Sequence, residues 1–405
     1  MRALEVTWSS PLPPTRSGVA DYADELLPHL ARLCRVTVIE PPDGRPEVSW
    51  REEVSWQAAE APPRGLELLH LGNNPYHLWV AARLRRLGGV VVLHDAVLHH
   101  LLVEEAASTG NWQRFAEELA AVAGKAGEAL AWARRWGFTG PLDPFLFPAR
   151  PAYLRYAHAV LVHNRAAEKA VKTELPGLPV RQVPLAVAAL PGEGGAFREK
   201  LGLKDGEILA VHLGFLTPAK GLGVILRALV IVQELGLPVR LVVVGEGAEQ
   251  EELAATVRQL GLASQVVLFG YASRKQLGDI LAAADVGLVP RFPTAGETSA
   301  AVLRFLACGK PVVVCGYQQF LEFPPEVALR IRPGGEGAVE LARWLAYLAR
   351  NPQVLAEKKR LAYRAWQDGG HAPEVAAARL LAAVEDMAAT LEREDRRKRG
   401  ESRVV

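Results

Sequence analysis

Cysteine is scarce: three residues in 405, Cys34, Cys308 and Cys315, none in a Cys-x-x-Cys spacing. No disulfide framework and no cysteine-held zinc site is indicated, and a reduced, cytoplasmic setting is expected. An excess of either charge is also missing. Forty-seven basic residues face 45 acidic ones, for a net charge of +2, so nothing draws the whole chain to nucleic acid. No apolar run approaches the ~18 residues that cross a bilayer. The opening MRALEVTW reads as a first strand and lacks the apolar core and cleavage site of a signal peptide. Nor does any Asp-x-Asp pair occur, so no metal site of that kind is expected.

What is present is apolar sequence, half of all residues. That supply, over this length, suits two α/β domains better than one. Short runs such as CRVTVIE, GVVVLHD, AVLVHN, ILAVHLG, RLVVVGEG, QVVLFG and DVGLVP alternate with Ala/Leu/Arg/Glu-rich helical stretches. Runs apolar at every position suit strands buried on both faces of a parallel sheet. The βαβα order predicts doubly wound sheets with ligands at the carboxyl ends of the strands. The pattern occurs twice, and VPLAVAALPGEGGAFREK breaks it with proline and glycine. This places a first domain over 1–185 and a second over 186–372. A Trp/Phe-rich helical stretch at about 101–151 reads as an insertion over the site or as plain packing helices. The helix at 373–396 is a candidate to pack back on the first domain. The charge run REDRRKRG, 393–400, suits a solvated helix end; contact with anionic lipid at the inner membrane face is its alternative reading.

The chemistry is carried by loops that follow apolar strands. GETSAAVLRFLACGKPVVV follows DVGLVP and is predicted to open a helix with Gly296, Glu297, Thr298 and Ser299. Free backbone N–H groups and two hydroxyls there suit a phosphate, although an ordinary N-cap explains them without a ligand. HLGFLTPAKGL again runs from strand to helix. Its Gly214 permits close backbone approach and Lys220 supplies a point charge. VVVGEGAEQ has Gly245 and Gly247 but Gln250 at the third glycine position, which disfavours a nicotinamide site. In the first half, PPTRSGVADY puts Gly18 at a loop-to-helix entry. HLGNNPYH puts Asn73, Asn74 and His77 after one strand, and LHDAVLHHL puts His94 and Asp95 after another. His99 and His100 belong to the helix that follows.

Taken as a set, Gly-x-x-x-Pro-x-Lys-Gly, VVVGEG, VVLFGYAS, AAADVGLVP and ACGKPVVV resemble the family 4 glycosyltransferases, group 1, retaining enzymes of the GT-B fold. PTRSGVADY, LGNNPYH and LHDAVLHH resemble a bacterial branch. The resemblance spans nearly the whole chain and is strongest over 210–314. It implies two Rossmann-like domains facing a cleft. Lys220 and the backbone at Thr298 and Ser299 would hold a diphosphate. Glu297 would touch the donor sugar, and Tyr271 and Ala272 would lie by the base. His94 would approach the sugar from the first domain, and Gly18 would admit the donor. Asn73, Asn74, His77 and Asp95 would face the acceptor. Two positions depart from the family pattern. Phe215 stands where an arginine is common, with Arg291 as the replacement cation. Arg304 stands at the second of two spaced glutamates, the first falling on Gly296 beside Glu297.

The expected function is metal-independent, retaining transfer of a sugar from a nucleoside-diphosphate donor, UDP or GDP ahead of ADP. The acceptor is a glycan, lipid-linked or small-molecule hydroxyl, and no further cofactor is expected. Lys220, Arg291 and a helix N-terminus would stabilise the leaving diphosphate, which takes the acceptor's proton in a front-face step. A sugar-nucleotide epimerase and a non-catalytic nucleotide-sugar-binding relative are the rival readings.

Overall fold

The computed structural model describes residues 4–42 and 44–398, with side chains to residue 393. The chain divides into two compact units. One comprises Met1–Ala186, Ala295–Thr298 and Pro373–Val405; the other comprises Val187–Thr294 and Ser299–Ala372.

The first unit is built on seven strands: β1 (Glu5–Ser9), β2 (Arg35–Ile39), β3 (Ser55–Gln57), β4 (Leu66–Leu71), β5 (Val90–Leu93), β6 (Ala159–Val162) and β7 (Val180–Gln182). Their order is β3-β2-β1-β4-β5-β6-β7, and every pairing is parallel. β5 and β6 are buried at every position, as strands covered by helices on both faces must be. The stretch 101–151 supplies the helices His99–Thr109 and Trp112–Arg135, the second interrupted at Ala123–Gly124. Leu101, Leu102, Phe115 and Leu119 enter the same core as β4 to β6, so these are packing helices. The helix Pro373–Lys398 lies in this unit against Gly18–Leu30. Of the charge run 393–400, the side chains after Arg393 lie outside the described residues. A buried ion pair joins β4 to the next helix. Arg83 Nε and Nη2 meet the two Glu67 carboxylate oxygens at 2.7 and 2.9 Å, and the Ser9 hydroxyl donates to Glu67 at 2.6 Å.

The second unit has six strands: β8 (Ile208–Leu213), β9 (Val239–Val244), β10 (Val266–Gly270), β11 (Val286–Val289), β12 (Val312–Cys315) and β13 (Ala328–Ile331). Their order is β10-β9-β8-β11-β12-β13, again parallel throughout. Both sheets therefore reverse strand order beside their first strand, between β1 and β4 and between β8 and β11. In such sheets the crevice at that switch point receives the ligand. Asp285, just before β11, ties the unit's base together. It accepts from Arg198, Lys359 and the Leu209 amide, and these partners hold its carboxyl below the usual carboxylate range despite burial.

Among the described residues no helix is long and apolar enough to cross a membrane.

Candidate functional site

In the second unit the loops leaving β8 and β11 are tied together at the switch point. The Phe292 amide donates to the Ala219 carbonyl at 2.8 Å. Gly221, at φ +74°, lies so near Pro290 that a Cβ would stand 2.3 Å from its carbonyl oxygen. These contacts bring Lys220, at the end of the short turn Pro218–Lys220, beside Arg291. Gly214 sits at φ +136°, and a Cβ there would meet the Lys220 ammonium at 3.1 Å. The missing side chain is thus the space the lysine occupies.

His212, which no sequence motif marks, lies beneath these cations. Its ring is fully buried, and Nδ1 donates to the Leu288 carbonyl at 2.8 Å, joining β8 to β11. Nε2 has no hydrogen-bond partner among the described residues. Burial pushes its pKa down to about 4, with the Lys220 and Arg291 charges acting in the same direction. The imidazole is therefore neutral, so the two cations are the positive charges of this corner. The available signal was a polar residue two positions before the strand's closing glycine.

Gly245 and Gly247 pack against the same loop. A Cβ at Gly245 would stand 2.0 Å from the Gly214 carbonyl oxygen, and one at Gly247 would stand 2.3 Å from that of Leu216. Phe215 is 55% exposed and Tyr271 57% exposed. Ala272 follows Tyr271 before the helix Arg274–Ala283, which Ser273 and Gln276 close with a capping box.

The GETS segment differs from expectation. The helix runs Ala300–Ala307 with Ser299 as its N-cap, whose hydroxyl oxygen accepts from the Val302 amide at 3.3 Å. Gly296, Glu297 and Thr298 precede it as irregular backbone belonging to the first unit. Asn164, after β6, holds them: Nδ2 donates to the Gly296 carbonyl at 2.9 Å and to the Thr298 hydroxyl at 3.0 Å. The Ala295 carbonyl accepts from the Val97 amide at 2.9 Å. Gly296, at φ +76°, packs on Ala96, whose Cβ would be 2.6 Å from an added one. Glu297 is thus presented, half-buried, from a segment packed against the loop that carries His94. Arg304, one turn into the helix, donates to the Ala188 carbonyl.

The first unit gathers histidines at the carboxyl ends of β4, β5 and β6. His70 Nδ1 and His94 Nε2 are 3.0 Å apart, and the His94 and His163 rings are 5.0 Å apart. Trp8 lies 3.9 Å from His70 and Tyr22 lies 5.0 Å from His94, centroid to centroid. Burial, followed by neighbouring histidines, drives His70 and His94 well below the usual imidazole range, so both are neutral. Gly18 starts the helix capped by Ser17 and has open space where a Cβ would be.

Among the acceptor-side residues, His77 is the one the structure encloses. His77 is fully buried. Its Nδ1 donates to the His70 carbonyl at 2.8 Å and its Nε2 lies beneath Gly72, so it shapes that loop from below. Burial lowers it to about 4. Asn73 caps the helix His99–Thr109, accepting from the His100 and Leu101 amides, while its own amide donates to Asp95 at 2.8 Å. Asn74 accepts from the Tyr76 amide. All three polar side chains are engaged by the fold around them.

Residues 195–323 match the model of the family Glycosyl transferases group 1. The D-inositol 3-phosphate glycosyltransferase of Rhodococcus erythropolis is 34% identical over 130 residues, 30% of this chain and 29% of that protein. The chain spans less than a third of the length of the curated relatives it matches. Among solved structures, a sucrose-phosphate synthase from Thermosynechococcus elongatus superposes with a TM-score of 0.69 at 16% identity, over 96% of this chain and 100% of that one. Anabaena HepE in complex with UDP and glucose gives 0.60 at 16% identity, over 95% and 100%. The fold is that of the GT-B glycosyltransferases, two parallel-sheet Rossmann-like domains.

Proposed function

We propose that this chain, whose residues 195–323 carry the group 1 glycosyltransferase sequence, is a family 4 glycosyltransferase. It moves a sugar from a nucleoside-diphosphate donor to an acceptor hydroxyl, with retention of configuration and without a metal ion. The observation that carries the reading is Lys220 and Arg291 converging at the switch point of β8 and β11, over a neutral, buried His212.

In this reading the diphosphate rests on Lys220 and Arg291, with the N-terminus of the helix Ala300–Ala307 adding backbone N–H groups and Ser299 its hydroxyl. A preorganised cation set of this kind favours a transition state in which negative charge grows on the leaving phosphate. The open space over Gly18 allows backbone to approach the donor, and the space over Gly214 admits the Lys220 side chain. Tyr271 and Ala272 lie by the base, UDP or GDP being the expected form; HepE, with the same fold, was solved with UDP and glucose. Glu297 and His94 contact the sugar. His70 positions His94: one of the two facing nitrogens donates to the other. A proton on His70 Nδ1 leaves His94 with its hydrogen on Nδ1, ready to donate to a sugar hydroxyl. The leaving phosphate takes the acceptor's proton on the same face of the sugar. The acceptor is a glycan, lipid-linked or small-molecule hydroxyl, met in the cytoplasm or at the inner membrane face.

The test incubates the protein with UDP-, GDP- and ADP-sugars and a panel of acceptors, with and without EDTA. Product linkage is read by NMR. An α-linked product from an α-linked donor, unaffected by EDTA, is expected. An inverted product, or turnover abolished by EDTA, contradicts the mechanism. Epimerised donor formed without any acceptor contradicts the activity.

A further inference from the structure

A second recess lies on the far edge of the second unit. It is bounded by the edge strand β13, the helix Glu336–Arg350 and the helix Pro352–Gly369, and measures about 650 Å³. That is within the roughly 300–1,000 Å³ typical of small-molecule sites. β12 and β11 separate β13 from β8, so the recess is distinct from the Lys220 corner.

Its lining joins aromatic rings to three cations and one carboxylate. Trp344 and Tyr347 form the apolar wall, their centroids 6.1 Å apart and their planes at 73°. Tyr347 is 44% exposed although it is a large ring on a helix. Trp344 is held by its indole N–H, which donates to the Arg330 carbonyl at 3.1 Å. Arg330, Arg343 and Lys358 stand around them. Arg330 donates to the Leu321 and Phe323 carbonyls and Lys358 to the Glu326 carbonyl. These are neutral acceptors that leave the positive charge in place. The one carboxylate of the lining, Glu340, is already committed: its oxygens accept from the Arg332 amide and Nε, both at 2.6 Å. Glu340 also feels the Arg343 charge, but among the described residues no carboxylate is hydrogen-bonded or salt-bridged to Arg330, Arg343 or Lys358.

We propose that this recess binds an anionic saccharide, with the sugar ring against Trp344 and Tyr347 and the anionic group on Arg343 and Lys358. Two rings set nearly at right angles cannot sandwich a flat nucleobase. They offer one face and one edge, which suits the C–H surfaces of a puckered sugar ring. Arginine and lysine side by side suit a phosphate or carboxylate. The anion reaches the site from a sugar phosphate or from a uronic acid, and the two share this chemistry.

Isothermal titration of the full chain with glucose 6-phosphate, glucuronate, glucose and inorganic phosphate tests the proposal. Saturable binding of glucose 6-phosphate or glucuronate is expected, at least about tenfold tighter than glucose or phosphate alone. The stronger of the two identifies the source of the anion. Tyr347→Ala and the double variant Arg343→Ser/Lys358→Ser should each weaken it at least about tenfold, with an unchanged melting temperature showing intact folding. The proposal is overturned by no saturation up to about 10 mM, by phosphate binding as tightly as the sugar phosphate, or by variants that bind like the parent. UDP binding at the Lys220 corner should be the same in parent and variants, which separates this site from the donor reading.

Discussion

Acidification should expose the neutral imidazole of His212 as a proton-linked weakness of the second unit. The ring is fully buried and its Nδ1–H is committed to Leu288. Burial, reinforced by Lys220 and Arg291, holds its pKa at about 4 against an ordinary 6.5. Between those values the unfolded chain carries the proton and the folded chain does not, so the unfolded state binds more protons. The stabilisation is therefore complete above pH 6.5 and is lost as pH falls through about 4. A gap of about 2.5 pH units is worth about 3 kcal/mol in full, a sizeable part of a domain's total stability. The assay is ¹⁵N NMR of histidine-labelled protein, with His212→Gln to assign the resonance. The account expects an Nδ1–H tautomer above neutrality and a midpoint near 4. A midpoint near 6.5, or an Nε2–H tautomer, would refute the reasoning and remove the neutral floor beneath the two cations.

Three further outcomes follow from particular contacts. Lys220→Ala should cut sugar transfer about 100-fold or more, as loss of one charge-stabilising group does, while chemical denaturation shifts by less than about 0.5 kcal/mol; near-normal turnover contradicts the role given to the lysine. Gly245→Ala places a Cβ 2.0 Å from the Gly214 carbonyl oxygen at φ +141°. It should lower stability by about 2 kcal/mol or more and depress turnover by displacing the Lys220 loop, and a variant with parental melting and turnover would sink that packing argument. Arg83→Leu strands the buried Glu67 carboxylate and should cost about 3–5 kcal/mol by denaturation. Adding Glu67→Leu should recover much of that loss, whereas additive losses would show that the two residues are not a coupled pair.

The strands were legible because most are apolar at every position, the mark of burial on both sheet faces. β3 and β7 escaped notice for the opposite reason. Each is a three-residue edge strand with partly exposed side chains, Ser55–Gln57 and Val180–Gln182, and has no run to detect. At the site, Gly214 and Lys220 stand out because glycine and a cation after an apolar strand are locally conspicuous, whereas Arg291 enters only as the replacement for the arginine missing at Phe215. The start of the helix near Thr298 was misread by about one turn. The segment before Ser299 is held by Asn164 and by Val97, far away in sequence. No local pattern carries such partners. His77 was misjudged in the same way, since a histidine in a polar loop reads as exposed until Gly72 and the His70 carbonyl are seen to enclose it. His212 and Asn164 fall near the ends of apolar runs, where a single polar residue looks like punctuation rather than a tie between strands or loops.

The most direct test of the central claim is a thermal-shift panel of UDP, GDP, ADP, CMP and NAD on the parent protein and on Lys220→Ala. A ligand that binds only the folded state raises its stability by RT ln(1 + [L]/Kd). The account predicts a selective rise with one nucleoside diphosphate, most of it lost in Lys220→Ala. No rise with any diphosphate, or the same rise in both proteins, would contradict a donor site built on Lys220.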